Sequence, residues 1–236
     1  MEKRLMQKIE PAKKRVKEHN IKGHRIGSKI GSKTGHKITL LIIRHGETEA
    51  NIRRINQGQV GGKLTRKGIM QSKKAGRFLK DTKIDEFFIS DLGRTMDTAE
   101  QITRYHPESK IRFTRELREQ NLGILEGTRQ GKEDALLAGL KKAIFRPKGG
   151  ESLLDMYNRV NRFCKRIIES RIKEDKDMTI AFVTHGGPIV CMLLGFTGNN
   201  MRKIRSFLPP NTGITTINIY KKDIRIIRLN STEHLD

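Results

Sequence analysis

The stretch Leu40-Leu41-Ile42-Ile43-Arg44-His45-Gly46-Glu47-Thr48 decides the fold of this chain. Four consecutive apolar residues end abruptly in an arginine, a histidine and a glycine, which is typical of a strand buried on both faces of a parallel sheet. A histidine at the carboxyl end of such a strand lies in the crevice where open α/β sheets bind ligands. Taken alone, this short pattern fits a functional site and an ordinary surface Arg-His pair equally well.

Two further apolar runs end in similar polar residues. Phe182-Val183-Thr184-His185-Gly186-Gly187 supplies a second histidine, 140 residues after the first. Ser90-Asp91-Leu92-Gly93-Arg94-Thr95 supplies a second arginine. Because the carboxyl ends of parallel strands meet at one edge of a sheet, we expect the two histidines and the two arginines to converge there.

Patterns typical of strands and of helices alternate from Ile38 onward. After the first strand, strands are predicted over 86–90, 111–113, 179–183, 214–220 and 224–229, the last two as a closing hairpin. Helices are predicted over 94–105, 133–143 and 151–171, with further helices after an N-cap at Thr65 and after Pro188. This alternation predicts one three-layer α/β domain over residues 38–236, with a mostly parallel sheet and helices on both faces.

Residues 1–37 form a basic segment of different character. They contain 12 lysine or arginine residues and 3 acidic residues, which gives a net charge of +9 within the chain's total of +23. Glycine recurs at every fourth position from Gly23 to Gly35, which is costly in a helix and leaves too little apolar surface for a core. We therefore expect a flexible, disordered tail, through which alone the chain would bind nucleic acid or an anionic surface.

The cysteine positions and the hydropathy of the chain indicate in which cellular compartment the protein is expected. Cys164 and Cys191 fall inside apolar helical patterns, which favours reduced core thiols over a disulfide framework or a metal site. The longest apolar candidate, residues 188–196, is about half as long as a membrane-spanning helix must be. These features predict a cytoplasmic protein without a membrane span, and they leave the oligomeric state open.

The residues at the predicted sheet edge suit a tetrahedral phosphoryl group. An arginine fork binds two phosphate oxygens at once, and glycines after the histidines let backbone N–H groups approach the same anion. A neutral imidazole can attack phosphorus while fixed cations stabilise the developing charge, so this chemistry requires no metal ion or other cofactor. The candidates for the remaining role, a proton donor, are Glu47, Asp91, Glu116, Glu119 and Glu126. Glu119 is preferred because it follows the third predicted strand.

Six ordered blocks of sequence extend this pattern. They are Arg44-His45-Gly46-Glu47-Thr48 with Asn51 and Gln57-Gly58; Leu64-Thr65 with Gly68; Ser90-Asp91-Leu92-Gly93-Arg94-Thr95 with Thr98-Ala99; Leu117-Arg118-Glu119 with Gly123 and Leu125-Glu126-Gly127; Gly149-Gly150-Glu151-Ser152; and Thr184-His185-Gly186-Gly187. Over residues 38–211 the chain thereby resembles the histidine phosphatase superfamily, also called the phosphoglycerate mutase-like family. Six blocks in one order are far more specific than a single Arg-His-Gly triplet.

The resemblance implies a role for each of these site residues. His45 would be the nucleophile that becomes phosphohistidine, and Glu119 would donate a proton to the leaving alcohol and then activate water. The phosphoryl group would be clamped by Arg44, Arg94 and His185. Further phosphate contacts would come from Asn51, Gln57, Gly58 and the backbone at Gly186.

Structural roles are open for several neighbouring residues. Asn51 could instead cap its loop, and Gln57 could be a turn residue. Glu126 and Glu151 are expected to be structural, and Asp91 is expected to be a cap or a salt-bridge partner.

The resembled family contains both hydrolases and mutases. Its cofactor-dependent mutases carry a longer insertion after the acid, with an adjacent arginine pair that binds the phosphoglycerate carboxylate. This chain has only residues 128–148 there, without an Arg-Arg pair. The resemblance therefore favours a metal-independent phosphatase of a small phosphorylated metabolite, such as a sugar phosphate or bisphosphate, with a cofactor-dependent phosphoglycerate mutase as the alternative.

Two further hypotheses concern the excess of basic residues. The segment after the acid would suit a substrate with more than one anionic group through Arg129, Lys132, Lys141, Lys142, Arg146 and Lys148. A second alternative for the whole chain is a basic module that binds nucleic acid or an anionic surface. The sequence has no nucleic-acid motif, and few aromatic residues lie between its basic residues, so base stacking is not indicated.

Overall fold

The computed structural model of the chain describes residues 36–131, 143–198, 206–221 and 223–236. Nearly all of the predicted tail, and the predicted helix over 133–143 apart from its last residue, lie outside these ranges. The described strands are β1 (Ile38–Arg44), β2 (Glu86–Ser90), β3 (Lys110–Thr114), β4 (Met178–Thr184), β5 (Ile214–Tyr220) and β6 (Asp223–Ser231).

The six strands form one sheet in the order β3-β2-β4-β1-β5-β6. The first four of this order run parallel to one another. Strand β5 pairs antiparallel with β1, and β6 pairs antiparallel with β5 as the closing hairpin. The prediction of a mostly parallel sheet is therefore confirmed.

The two strands that end in histidine are neighbours at the centre of the sheet. Along β1 and β4, Ile42 lies opposite Phe182, and Arg44 lies opposite Thr184. His45 and His185 each follow directly after the last residue pair of this ladder. The register between the two strands therefore sets the two histidines side by side.

Five α-helices belong to the described part of the chain: α1 (Glu49–Ile52), α2 (Arg66–Leu79), α3 (Gly93–Thr103), α4 (Leu153–Arg171) and α5 (Gly186–Thr197). The predicted N-cap of α2 is confirmed, since the Thr65 hydroxyl accepts from the Gly68 amide at 2.9 Å. Helix α4 begins with a capping box, in which Ser152 Oγ accepts from the Asp155 amide at 3.1 Å and Asp155 Oδ2 accepts from the Ser152 amide at 2.8 Å. These caps fix where both helices begin.

Apolar residues of β1 are buried on both faces of the sheet, which explains the unbroken apolar run. Leu40 and Ile42 belong to a core cluster with α4 and α5, whereas Leu41 and Ile43 belong to a cluster with α2 and α3. Helices on both faces are thereby confirmed. Each fully buried side chain of this size stabilises the fold by about 1.5–3 kcal/mol, so a slip of β1 in register is strongly disfavoured.

The two cysteines have the predicted core positions. Cys164 on α4 and Cys191 on α5 are free and buried, and burial raises the pKa of both thiols. Among the described helices, none is long and apolar enough to cross a membrane.

Candidate active site

His45 follows β1 and is only 3% exposed. Its Nδ1 lies 2.7 Å from the Gly46 carbonyl oxygen. Because a carbonyl only accepts, Nδ1 carries the proton, and Nε2 has the free lone pair. Burial, followed by the cations of Arg44 and Arg94, lowers the pKa of His45 well below its usual value. The ring is therefore a neutral imidazole, which is the nucleophilic form.

His185 precedes α5 and is fully buried beside His45, with the ring centroids 5.2 Å apart. Nε of Arg94 donates to Nδ1 of His185 at 3.1 Å, and Nε2 lies 2.8 Å from the Ser90 hydroxyl. Since Nδ1 accepts, Nε2 carries the proton and donates to Ser90. Burial, then Arg94, lowers the pKa of His185 well below its usual value. Both of its ring nitrogens are therefore hydrogen-bonded within the protein.

Arg94, at the start of α3, is a buried cation that faces both histidines. Its Nη2 donates to the Gly58 carbonyl at 2.7 Å, and its Nη1 donates to the Val60 carbonyl at 3.1 Å. Burial lowers the pKa of Arg94 to about 10, a shift that Glu119 opposes. The guanidinium thus keeps its charge at neutral pH, with three hydrogen bonds fixing its plane.

Arg44, the last residue of β1, is the second cation of the site. Its Nη1 donates to the Pro209 carbonyl at 2.7 Å, and its buried Nε has no hydrogen-bond partner among the described residues. Burial lowers the pKa of Arg44, whereas nearby Glu119 raises it. A Cβ placed on Gly186 would lie 3.8 Å from that Nε, so the start of α5 borders the free donor. Arg44 therefore has an N–H available for an anion.

Glu119 lies against the first turn of α5. Its Oε2 accepts from the Gly187 amide at 3.1 Å, and its Oε1 accepts from the Gln120 amide at 2.9 Å. A Cβ on Gly187 would collide with this carboxylate, so the second glycine after His185 makes room for it. The topology thus brings Glu119 to the same sheet edge as the two histidines and the two arginines.

A comparison with known proteins shows the family to which the chain belongs. Residues 40–232 match the histidine phosphatase superfamily, branch 1. The chain belongs to this superfamily. The match identifies it as an enzyme of the histidine phosphatase type and confirms the resemblance stated from the six sequence blocks.

Relatives within the superfamily include hydrolases and a mutase. The chain is 33% identical to the fructose-2,6-bisphosphatase TIGAR of Bos taurus over 144 residues, which are 58% of this chain and 53% of that protein, so the match spans about half of the bovine protein. It is 29% identical to the 2,3-bisphosphoglycerate-dependent phosphoglycerate mutase of Bartonella henselae over 198 residues, which are 80% of this chain and 95% of that protein. The α-ribazole phosphatase of Shigella flexneri is a similar solved structure, with a TM-score of 0.70, 25% identity, and coverage of 82% of this chain and 96% of that one.

The other carboxylates named as candidate proton donors contact other groups in this superfamily member. Asp91 forms a two-pronged salt bridge with Arg118, with both N···O distances at 2.6 Å, and Arg118 lowers its pKa. Glu47 pairs with Lys67 at 3.0 Å, and Glu116 lies 4.0 Å from Arg166. Glu126 accepts from the backbone amides of Gln59 and Leu122 at 2.7 and 3.2 Å. Glu119 is thus the candidate that lies beside α5 and both arginines.

The predicted minor contacts divide into two kinds. Asn51 has the capping role left open by the sequence, since its Oδ1 accepts from the Thr48 amide at 3.1 Å and from Nδ2 of Asn211 at 3.0 Å. Gln57 accepts from the Thr48 hydroxyl at 3.1 Å, while its buried Nε2 has no partner within the described residues. Gln57 therefore has a donor available, whereas the amide oxygen of Asn51 holds the loop together.

Gly58 supports the site through its backbone. Its carbonyl accepts from Arg94, and its φ of +53° is in the left-handed region. A Cβ there would collide with the carboxylate of Glu126, whose own contacts are with backbone amides. The expected structural role of Glu126 is therefore observed, and a side chain at position 58 would displace it.

Arg159 on α4 is a functional candidate that the sequence did not indicate. Its Nη1 donates to the carbonyls of Glu116 at 2.8 Å and Arg118 at 3.1 Å, and its Nη2 lies 3.5 Å from the carbonyl of Glu119. Glu151 holds the same guanidinium at 2.5 and 3.2 Å, in keeping with its expected structural role. One side chain thereby secures the backbone that carries Glu119. No group of three or more His, Cys, Asp and Glu side chains within the described ranges is arranged to hold a metal ion.

Proposed function

We propose that the chain is a metal-independent phosphomonoester hydrolase that works through a phosphohistidine at His45. The observation that carries this proposal is the orientation of His45. Its Nδ1 proton is held by the Gly46 carbonyl, and its Nε2 lone pair is available next to two cations. A neutral imidazole held in this way is prepared for nucleophilic attack on phosphorus.

In the first proposed step, Nε2 of His45 bonds to phosphorus and the ester P–O bond breaks. The leaving oxygen takes a proton from Glu119, and the phosphoimidazole keeps its Nδ1–H bonded to Gly46. Arg44 donates through its free Nε and Arg94 contributes its buried charge, which stabilises the equatorial oxygens as charge develops on them.

In the second proposed step, the Glu119 carboxylate removes a proton from water. The resulting hydroxide bonds to phosphorus, the N–P bond breaks, and neutral His45 and inorganic phosphate are released. Glu119 ends protonated, ready for the next turnover. His185 acts through its own hydrogen bonds, because its Nε2 proton is directed to Ser90 and its Nδ1 accepts from Arg94. The resemblance implies a phosphoryl contact for His185, but because both of its ring nitrogens are engaged we assign it the role of holding Arg94 and filling the space beside His45.

The proposed substrate class is a small phosphorylated metabolite, such as a sugar phosphate or bisphosphate. Relatives named as a fructose-2,6-bisphosphatase and an α-ribazole phosphatase support hydrolysis. The short segment 128–148 without an arginine pair also favours hydrolysis. Phosphoglycerate mutase activity is the second candidate, since the Bartonella mutase is matched over 95% of its length.

The remaining sequence predictions complete this proposal. We propose that the catalytic domain spans residues 38–236 and acts in the cytoplasm, with residues 1–37 as an appended basic tail. Binding of nucleic acid or an anionic surface through that tail stays a prediction, because residues 1–35 lie outside the described ranges.

The test is release of inorganic phosphate, in excess EDTA, from p-nitrophenyl phosphate and a panel of sugar phosphates. His45→Asn is compared with the control His36→Asn, which removes an exposed imidazole just before β1, at the opposite edge of the sheet. We expect the wild type and the control to hydrolyse p-nitrophenyl phosphate and at least one sugar phosphate. The hydrolysis rate of His45→Asn should be lower by about a thousandfold or more, while its melting temperature stays the same. Full activity of His45→Asn, or no hydrolysis by the wild type, would contradict the proposal.

A further inference from the structure

A cavity of about 500 Å³ opens beside the phosphoryl site. It is lined by Arg44, Asn51, Arg54, Gln130, Gly131 and Asn211. Two guanidinium groups and three carboxamides surround it, and no carboxylate is among the described residues that line it. Such a lining suits an anionic ligand that accepts many hydrogen bonds.

The cavity is continuous with the proposed reaction site through Arg44. Asn211 also belongs to both, since its Nδ2 donates to the backbone carbonyl of His45 at 3.1 Å. Arg54 and Gln130 lie on the part of the lining that the phosphoryl contacts do not use. A substrate whose phosphoryl group is at Arg44 would therefore extend toward Arg54.

The backbone fixes Arg54 at the rim of this cavity. The Arg54 amide donates to the Asn51 carbonyl at 3.2 Å, and the Arg54 carbonyl accepts from the Gln130 amide at 2.8 Å. Its φ of +52° is in the left-handed region, which disfavours a residue with a Cβ by about 1–2 kcal/mol. An arginine at a position better suited to glycine or asparagine points to a use for its side chain.

The charge of Arg54 is uncompensated across the described ranges. Its neighbour Arg53 faces Glu49 at 4.0 Å, but Arg54 forms no ion pair with any described residue. By contrast, Arg146, expected from the sequence to meet a second anionic group, is paired with Asp155 at 2.8 Å. Lys132, Lys141 and Lys142 lie outside the described residues. Arg129 and Lys148 are described but do not line the cavity, so Arg54 is the cation that the described lining adds to Arg44.

We propose that Arg54 and Gln130 form a subsite for a second anionic group of the substrate, either a phosphoryl group or a carboxylate. This inference rests on the proposed function, because it takes the phosphoryl group that is transferred to be held at Arg44 and His45. It defines the preferred substrate class as small molecules with two anionic groups. The Arg54 fork binds oxygens of the second group, and the Gln130 carboxamide donates to it.

The test compares Arg54→Gln with Arg53→Gln, which removes the same charge from the adjacent exposed residue. Two matched ligand pairs differ in one anionic group: fructose 2,6-bisphosphate with fructose 6-phosphate, and 3-phosphoglycerate with glycerol 3-phosphate. Inhibition constants against p-nitrophenyl phosphate hydrolysis are measured for each pair, and dissociation constants are measured by calorimetry in a His45→Ala background, where turnover is not needed.

We expect Arg54→Gln to weaken the binding of the doubly anionic ligand in at least one pair by about tenfold. Binding of the singly anionic ligand of that pair should weaken by less than about threefold. A loss within the first pair alone identifies a phosphoryl subsite, and a loss within the second pair alone identifies a carboxylate subsite. Arg53→Gln should not alter the binding of either ligand in either pair. Equal losses of affinity for both ligands of each pair, or no loss for any ligand, would overturn the subsite. If the wild type does not hydrolyse p-nitrophenyl phosphate, only the proposed function is contradicted, because calorimetry still measures the contribution of Arg54 to binding.

Discussion

Nε of Arg94 donates to Nδ1 of His185 at 3.1 Å, and this contact gives His185 the opposite tautomer to His45. His45 carries its proton on Nδ1, because that nitrogen faces the Gly46 carbonyl. His185 carries its proton on Nε2 and directs it to Ser90. Two neighbouring imidazoles thus have different tautomers because their hydrogen-bond partners differ.

The tautomers can be observed directly. A long-range ¹H–¹⁵N spectrum near neutral pH should show two neutral rings, His45 protonated on Nδ1 and His185 protonated on Nε2. Assignment follows from the loss of each signal in His45→Asn and His185→Asn. Protonated rings, or the same tautomer in both, would contradict the geometry from which the nucleophile was inferred.

Ser90 should act as a positioning residue for His185. Ser90→Ala leaves the Nε2 proton without a buried acceptor, which costs about 1–3 kcal/mol and should lower kcat about tenfold with a smaller change in KM. Ser90→Thr keeps the hydroxyl and should restore most of the loss. If the alanine variant retains the wild-type kcat and the His185 tautomer, Ser90 has no such role.

Glu119 should matter most for substrates with poor leaving groups. Glu119→Gln removes the proton donor, so hydrolysis of an alkyl phosphate should fall about a hundredfold or more, while that of p-nitrophenyl phosphate, whose leaving group needs little protonation, should fall much less. Glu116→Gln, in the same segment, is the matched control. Equal losses on both substrates would assign Glu119 to binding or folding instead.

Arg159 should act through Glu119. Arg159→Gln frees the carbonyls of Glu116, Arg118 and Glu119 and should lower kcat for an alkyl phosphate about tenfold, again with a smaller effect on p-nitrophenyl phosphate. Arg162→Gln, at an exposed position of the same helix, should change neither rate. Similar losses on both substrates, together with a lower melting temperature, would indicate a purely structural role.

The buried histidines should make the fold sensitive to acid. Burial and nearby cations hold the pKa of both His45 and His185 below the value of an unfolded imidazole. Below about pH 6.5 the unfolded chain therefore binds more protons than the folded one, and each histidine lowers the free energy of unfolding by up to about 1.4 kcal/mol per pH unit. This stability is present above that pH and is lost as the pH falls.

Urea unfolding between about pH 5 and about pH 8 measures this dependence. Burial also lowers the pKa of His106 and His234, so His45→Asn removes one of four contributing groups and should reduce the slope on the acid side without abolishing it. A free energy of unfolding that stays constant or rises toward pH 5 would show that the histidines are not buried as neutral rings.

Much of the site could be predicted from the sequence because its residues follow buried strands. The apolar runs before His45 and His185 mark the strands, and the rule that parallel strands share an edge brings the histidines together. Strand order could not be predicted, since local patterns do not reveal that β4 lies between β1 and β2. That order depends on which apolar faces pack together over the whole domain.

Two further residues of the site could not be predicted from the sequence, for a different reason. Arg159 is one of several basic residues on α4, and nothing local distinguishes the one that reaches the carbonyls near Glu119. Asn211 donates to the His45 carbonyl from a loop 166 residues away. Hydrogen bonds between distant loops depend on tertiary structure alone, so periodicity and spacing give no signal for them.

The central claim is a covalent phosphohistidine at His45 that water hydrolyses, and a rapid-quench single turnover with a ³²P-labelled phosphoryl donor tests it most directly. We predict acid-labile label on the wild-type protein, none on His45→Ala, and passage of the label to inorganic phosphate even when 3-phosphoglycerate is present. Label that passes to the glycerate would contradict hydrolysis in favour of a mutase. Turnover by the wild type without His45-dependent label would contradict the phosphohistidine itself.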